Sequence, residues 1–222
     1  MAEDARPAGP PPLPAGRFAA WLAQTQEALA GSADAAVPCA GCTACCRSAQ
    51  FVTVEPDEAD ARAHIPRRLL APAPGGGGRL VIGFDEEGRC PLLTDAGCSI
   101  YPHRPRACRT YDCRVFAAAG VLADPDRPLI AARARQWRFD PPDEADRRAE
   151  EAVRAAAGAL RRRFPDAPAA AVAVMAVEIS DSFADPRGDG AGGAGGAGET
   201  ADQTLLTLLR RRPPRPGAKP SP

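Results

Sequence analysis

The sequence predicts an α+β fold with a small, irregular, metal-stabilised cysteine-rich core that contains a few short strands and is flanked by helices. Two observations predict this architecture. All eight cysteines of the 222-residue chain lie between residues 39 and 113. Apolar residues follow helical spacing on either side of that segment, whereas short strand-like runs lie within it. Thiolates are soft ligands that bind zinc, copper(I) or iron in groups, so the clustering indicates metal or redox chemistry.

Composition narrows the class of protein further. The chain length fits one domain with tails, and 28 basic residues balance 28 acidic ones. A neutral balance gives no indication of a nucleic-acid partner. The longest apolar stretch, residues 167–179, is shorter than the roughly 20 residues that span a bilayer, and the first residues do not resemble a secretory signal. We therefore expect a cytoplasmic protein with no membrane partner, in which clustered cysteines bind metal.

The first half of the chain alternates short elements with turns. Residues 1–16 are acidic and proline-rich, which predicts a disordered tail. A helix over residues 18–30 follows from the spacing of its apolar residues, and Gly31 ends it. Residues 51–55 and 79–84 have strand character, with a short helix opening at Pro56. Residues 90–113 are rich in turn-forming residues, as expected of a segment that folds around ligands.

The second half predicts two helices and a flexible end. One helix runs from about Asp140 to Arg163, where Pro165 follows, and another covers residues 168–182. A glycine-rich linker and tail occupy 186–222, with a brief helix over 205–209. The expected organisation is one domain over 17–185, with the metal-binding core at 38–116 and a helical part at 140–183.

The spacing of the cysteines is the most specific signal. The first four follow C-x2-C-x2-C-C and the last four follow C-x7-C-x9-C-x4-C, 43 residues later. A C-x2-C step lets two sulfurs converge on one ion. Adjacent side chains of an extended backbone point to opposite sides, so Cys45 and Cys46 are not expected to serve one mononuclear ion equally well. We predict that one of them faces a second metal or a shared cluster, and that the two cysteine loops meet in space. The candidate metal ligands are Cys39, Cys42, Cys45, Cys46, Cys90, Cys98, Cys108 and Cys113.

The segments CAGCTACC and CPLLTDAGCSIYPHRPRACRTY resemble the YkgJ-type cysteine-cluster family, whose domain is described as zinc- or iron-chelating. The resemblance covers roughly residues 38–116. It implies metal binding by the cysteines more firmly than it implies any reaction. A related cysteine domain occurs in flagellin lysine methylases, which adds a methyl-transfer role as a distant alternative. The positions that match the family pattern are Cys39, Cys42, Cys45, Cys46, Cys90, Leu92, Leu93, Gly97, Cys98, Ile100, Tyr101, Arg104, Pro105, Cys108 and Arg109.

The sequence leaves open the roles of several other side chains. Four thiolates around one Zn²⁺ carry excess negative charge, which nearby arginines would offset; Arg104 and Arg109 are favoured because they belong to the family pattern. His64 and His103, the two histidines of the chain, are interpreted as surface or loop residues rather than ligands. Four disulfides are a less favoured alternative for the cysteines.

The functional hypothesis is a metal-binding protein that chelates zinc or iron through clustered thiolates. The inventory of eight cysteines fits two zinc sites, two iron–sulfur clusters, or one of each, and the pattern slightly favours iron. An iron–sulfur oxidoreductase or a metal-dependent group-transfer enzyme is the alternative. It requires an open coordination position or a cofactor pocket, and the sequence contains no recognisable catalytic dyad or nucleotide-binding motif. A protein partner is not specified.

Overall fold

The computed structural model describes residues 11–35, 37, 39, 41–184 and 205, and over these residues the fold is α+β, as predicted. Its helices and strands are short except for three helices that flank the cysteine-rich segment. The helices are α1 (Phe18–Leu29), α2 (Ala59–His64), α3 (Arg106–Thr110), α4 (Arg114–Ala119), α5 (Pro128–Ala134), α6 (Glu144–Arg163) and α7 (Ala169–Ile179). The strands are β1 (Leu13–Gly16), β2 (Val52–Val54), β3 (Leu70–Pro72), β4 (Leu80–Ile82), β5 (Leu93–Thr94), β6 (Gly97–Cys98) and β7 (Trp137–Phe139).

Helices α1, α4, α6 and α7 pack together around the larger of two hydrophobic cores. The apolar face predicted for α1 is buried there, including Phe18, Trp21 and Leu22. Helix α6 begins with a capping box in which Asp143 and Asp146 exchange side-chain and backbone hydrogen bonds, and such a box satisfies the free N–H groups of a first turn. The predicted helices of both chain halves are therefore present, with α6 starting four residues later than expected.

Residues 13–16, which the sequence places in a disordered tail over residues 1–16, form strand β1 instead, and residues 1–10 lie outside the described part. Strand β1 pairs in parallel with β7, with Leu13 opposite Trp137 and Gly16 opposite Phe139. The error has a physical cause: the pairing partner of β1 lies more than 120 residues away, so the local proline-rich composition does not reveal it. The pairing brings Ala15, which is buried, against the larger core.

A second, smaller core lies beneath a three-stranded antiparallel sheet of order β2-β4-β3. Two of these strands match the predicted ones, and β3 was missed. Val54 and Ile82 of the sheet meet Leu92 and Ile100 from the second cysteine loop. Strands β5 and β6 form a hairpin, where Gly97 has φ of +108°, a conformation that only glycine adopts without strain. The second cysteine loop therefore folds against the sheet.

Three short helices were not predicted. The sequence predicts a turn-rich segment over residues 90–113, but α3 lies within it and α4 begins one residue later; α5 follows. Each spans seven residues or fewer, too short for helical periodicity to show in the sequence. Gly120, with φ of +62°, ends α4 in the left-handed conformation.

The C-terminal expectations lie mostly outside the described residues. Of the brief helix predicted over 205–209, Leu205 is described, and it is helical and buried in the larger core. The linker and tail at 186–204 and 206–222 fall outside the described part. Within that part, no helix combines the length and apolar character needed to cross a bilayer.

The larger core predicts a strong dependence of stability on Phe18, whose side chain is 2% exposed and packs against the Trp21 and Phe139 rings. Phe18→Ala should lower the free energy of unfolding by about 3–5 kcal/mol, the range for deleting a buried phenylalanine ring. Leu122→Ala, at a side chain 76% exposed, should change it by less than about 0.5 kcal/mol. Urea unfolding followed by circular dichroism measures both; equal values for the two variants would contradict the assignment of this core.

Candidate metal centre

The two cysteine loops meet in space, as the sequence predicted. Residues Cys45–Arg47 form a single 3₁₀ turn, and the carbonyl of Cys46 accepts a hydrogen bond from the backbone N–H of Cys90 at 2.7 Å. This bond brings together the two ends of the 43-residue stretch that separates the loops. Because the bond joins main-chain atoms, it sets the relative position of the loops independently of any ion.

Hydrogen bonds that involve the residues directly after the first cysteine loop also stabilise its position. The hydroxyl of Ser48 donates to the carbonyl of Ala44 at 2.7 Å, and the backbone N–H of Ala49 donates to Gly88 at 2.8 Å. Arg127, at the start of α5, donates to the carbonyls of Ser48 and Ala49. No sequence motif identifies this arginine, because it lies beyond the last cysteine of the chain.

The cysteines are distributed between the two hydrophobic cores. Cys113 is buried in the larger core and Cys45 packs against it. Cys90 and Cys98 pack against the smaller core under the sheet. Cys45 therefore contacts the larger core, and the main chain of its neighbour Cys46 is hydrogen-bonded to Cys90, which contacts the smaller core.

One set of thiols gathers around Cys45. Burial, followed by the charges of Cys113, Cys39 and Cys42, raises the pKa of Cys45 far above that of a free thiol. Burial also raises the pKa of Cys113 to about 11, where Cys39 and Cys42 again contribute. Cys39, Cys42, Cys45 and Cys113 therefore lie close enough to act on one another electrostatically.

A second set of thiols gathers around Cys108. Burial, then the charges of Cys46, Cys90 and Cys98, raises its pKa to about 12. The pKa of Cys46 is raised to about 11, first by burial and then by Cys90 and Cys98, with Cys42 contributing less. The thiols that act on one another thus fall into two sets of four, which adjoin at Cys45 and Cys46, since the charge of Cys46 also raises the pKa of Cys45.

Two residues of the C-terminal half reach the first set. The indole Nε1–H of Trp137 donates to the sulfur of Cys113 at 3.1 Å, which lowers the pKa of that thiol against the effect of burial. The charge of Arg133 lowers the pKa of Cys39, and the Nε of Arg133 is buried without a hydrogen-bond partner. Both residues stabilise negative charge on sulfur. Sequence reasoning missed them because they lie in α5 and β7, at least 20 residues beyond the last cysteine.

The orientation of Cys113 depends on a buried ion pair on either side of it. Asp112 is 3% exposed and Arg114 is 6% exposed. The guanidinium donates to the carboxylate through Nε at 2.9 Å and lies within 2.8 Å through a second nitrogen. Asp112 also accepts the indole N–H of Trp21 at 2.8 Å, and Arg114 donates to the carbonyl of Ala15 at 3.2 Å. The pair joins α1 and β1 to the cysteine segment.

The two arginines favoured from the sequence have different surroundings. Arg104 stacks over the Tyr101 ring at 3.7 Å, and its charge lowers the pKa of thiols in both sets. Arg109 instead binds both carboxylate oxygens of Asp34 at 2.8 Å and lies 3.9 Å from Glu58. Arg104 is therefore positioned to offset thiolate charge, whereas Arg109 links the segment to the loop after α1.

The structure also shows the state of the thiols and the positions of Tyr111 and the two histidines. All eight cysteines are free thiols, so no disulfide is formed. The Tyr111 side chain packs against the larger core, where burial raises the pKa of its phenol, followed by the charges of Cys45 and Cys113. His64 and His103 lie at the surface as predicted, but their rings contact each other.

Residues 38–124 match the model of the CxxCxxCC family, described as a putative zinc- or iron-chelating domain. This is a class of cysteine-rich metal-chelating modules, and the match confirms the family resemblance deduced from the sequence. The match to a zinc- or iron-chelating domain supports metal binding by the clustered cysteines. No curated protein and no solved structure matches the chain significantly.

The buried ion pair predicts that Asp112→Asn destabilises the protein and its first cysteine set together. The substitution removes the charge of Asp112 from beside the buried Arg114 guanidinium, and breaking a buried ion pair costs about 3–5 kcal/mol in comparable sites. Urea unfolding measures the loss, and the metal content of the purified variant should fall with it.

The matched control is Asp126→Asn, at a carboxylate 69% exposed that pairs with Arg127. An exposed pair of this kind contributes about 0–1 kcal/mol. Wild-type stability in Asp112→Asn would show that Cys113 does not depend on this ion pair.

Proposed function

We propose that the protein holds two metal centres, each ligated by four cysteine thiolates. The first centre takes Cys39, Cys42, Cys45 and Cys113, and the second takes Cys46, Cys90, Cys98 and Cys108. The observation that carries the proposal is the division of the eight thiols into two sets of four by their neighbours. Four is the number of thiolates that closes a tetrahedral zinc site or holds a common iron–sulfur cluster.

The surroundings of each set fit metal thiolates. A set of four thiolates is strongly anionic, and a protein that binds metal there supplies N–H donors and cations nearby. The first set has the Trp137 N–H at Cys113 and the charge of Arg133. The second set has the charge of Arg104 acting on Cys46 and Cys108. The free state of all eight thiols is consistent with a reducing, cytoplasmic location, which is part of the proposal.

The spacing of the sulfurs favours iron–sulfur clusters over single zinc ions. Four sulfurs at about 2.3 Å from one zinc ion stand about 3.8 Å apart in a tetrahedron. Among the described residues, no three cysteine sulfurs all lie within 4.8 Å of one another. A [4Fe–4S] cluster binds each of its four thiolates to a different iron and so accepts a wider spacing. Zinc binding would require the thiols of each set to move closer together.

The two-centre arrangement predicts that Cys45 and Cys46, although adjacent, belong to different centres. Cys45→Ser and Cys46→Ser should each lose about half of the bound metal, because each removes one ligand from one set of four. The double variant Cys45→Ser/Cys113→Ser should lose no more than Cys45→Ser alone. Cys45→Ser/Cys46→Ser should lose nearly all. Elemental analysis per mole of protein measures each value.

The neighbouring variant Arg47→Gln, at an exposed residue of the same turn, is the control and should retain the wild-type metal content. Equal losses in the two double variants would refute the division into separate centres while leaving metal binding intact. Full metal content in all single cysteine variants would overturn metal ligation by these residues.

The identity of the metal follows from anaerobic purification with elemental analysis and a visible absorption spectrum. The proposal predicts brown protein that contains iron and acid-labile sulfide. Colourless protein with two zinc ions would support two closed zinc centres in place of clusters. Metal-free protein with paired cysteines would refute metal binding itself.

A further inference from the structure

A second kind of ligand set lies outside the cysteines, where the two histidines of the chain meet. His64 ends α2 and His103 ends the 3₁₀ turn at Tyr101–His103. Their imidazole rings stack with centroids 3.5 Å apart and planes 4° from parallel. Ligand atoms of the two histidines and of Asp60 all lie within 4.8 Å of one another. The fold thus brings together the three groups from positions up to 43 residues apart.

Hydrogen bonds determine which nitrogen of each ring is free. His103 Nδ1 lies 2.9 Å from a carboxylate oxygen of Asp60, and His64 Nδ1 lies 2.9 Å from the Asp60 backbone carbonyl. Both oxygens can only accept, so each Nδ1 carries the proton when its ring is neutral and each Nε2 keeps its lone pair. Among the described residues neither Nε2 has a hydrogen bond. A histidine that binds metal through one nitrogen commonly donates the other N–H to a carboxylate or a carbonyl.

The charges around the cluster are compatible with a cation. The hydrogen bond between His103 and the Asp60 carboxylate, at 2.9 Å, lowers the pKa of Asp60, and so does the nearby charge of Arg109. The carboxylate is therefore ionised at neutral pH. Arg109 is itself held by Asp34 at 2.8 Å, which offsets part of its repulsion. The three side chains are 37–69% exposed, so an ion can enter without unfolding and the stacked rings can tilt to face it.

We propose that His64 and His103, positioned by Asp60, form an exchangeable surface site for a borderline divalent cation such as zinc. Imidazole suits zinc, copper and nickel. Two protein nitrogens leave other coordination positions to water, unlike the closed sets of four thiolates. The site is independent of the cysteine centres, because it shares no ligand with them.

Nuclear magnetic resonance of the imidazole C–H groups tests this site, because the chain has two histidines and so two sets of ring signals. Zinc added to the purified protein, with its cysteine metal in place, should shift both sets together. A chelator too weak to remove the tightly bound metal should reverse the shift. Ring signals that do not respond to excess zinc would overturn the proposal. The three residues would then have only a structural role, linking α2 to the 101–103 turn.

Equilibrium dialysis against zinc gives the matching affinities. His103→Ala should weaken the exchangeable site at least about tenfold, since even residues that only support a ligand are worth that much. Asp60→Asn, which still accepts from His103, should weaken it less. Asp95→Asn, at an exposed carboxylate outside the cluster, should leave the affinity unchanged.

The tightly bound metal of each sample is measured after chelation, which separates this proposal from the cysteine centres. Equal tightly bound metal in wild type and His103→Ala, with the exchangeable ion lost from the variant, supports the site. Equal exchangeable zinc in both proteins would refute it, whatever the cysteines bind.

Discussion

The arrangement of the cysteine segment depends on the buried pair of Asp112 and Arg114. The pair surrounds Cys113 in sequence and ties it to α1 through Trp21 and to β1 through the Ala15 carbonyl. A buried charge pair of this kind is tolerated because further hydrogen bonds satisfy its remaining donors and acceptors. The pair thereby attaches one cysteine set to the helical core. Trp137, which is buried in the same core, donates its indole N–H to the Cys113 sulfur.

The other constraint is the adjacency of Cys45 and Cys46 in a single 3₁₀ turn. The Cys45 side chain packs against the helical core, whereas the charges of Cys90 and Cys98 in the second cysteine loop act on the Cys46 thiol. Two adjacent residues thus connect the helical core with the second cysteine loop. Metal at both sets would join the cores in the way that disulfides join the parts of small secreted domains. Aromatic side chains, which bury large apolar areas, make up 5% of the chain. Such a contribution of metal to stability would therefore complement a core with few large rings.

The contrast between the thiolate sets and the histidine cluster is one of access. The cysteine side chains are half-buried or buried, and four thiolates leave a zinc ion no open position. The histidines stand on the surface at the junction of α2 and the turn before Arg104, a residue whose charge acts on both cysteine sets. The two proposed kinds of metal site would thus differ in how readily they exchange their ion, and both lie within the 38–124 segment that matches the family model.

The sequence by itself determined the α+β class, the long helices and the loops that carry the cysteines. These features follow from local signals: apolar spacing in α1 and α6, strand-like runs at β2 and β4, and the cysteine spacing, including the divergence of Cys45 and Cys46. Only the tertiary structure decided which cysteines are neighbours, that β1 pairs with β7, and that Trp137, Arg133 and the histidine pair approach ligand groups. The physical reason is that these contacts join residues far apart in the chain, and their partners are set by packing between the two cores rather than by local propensity.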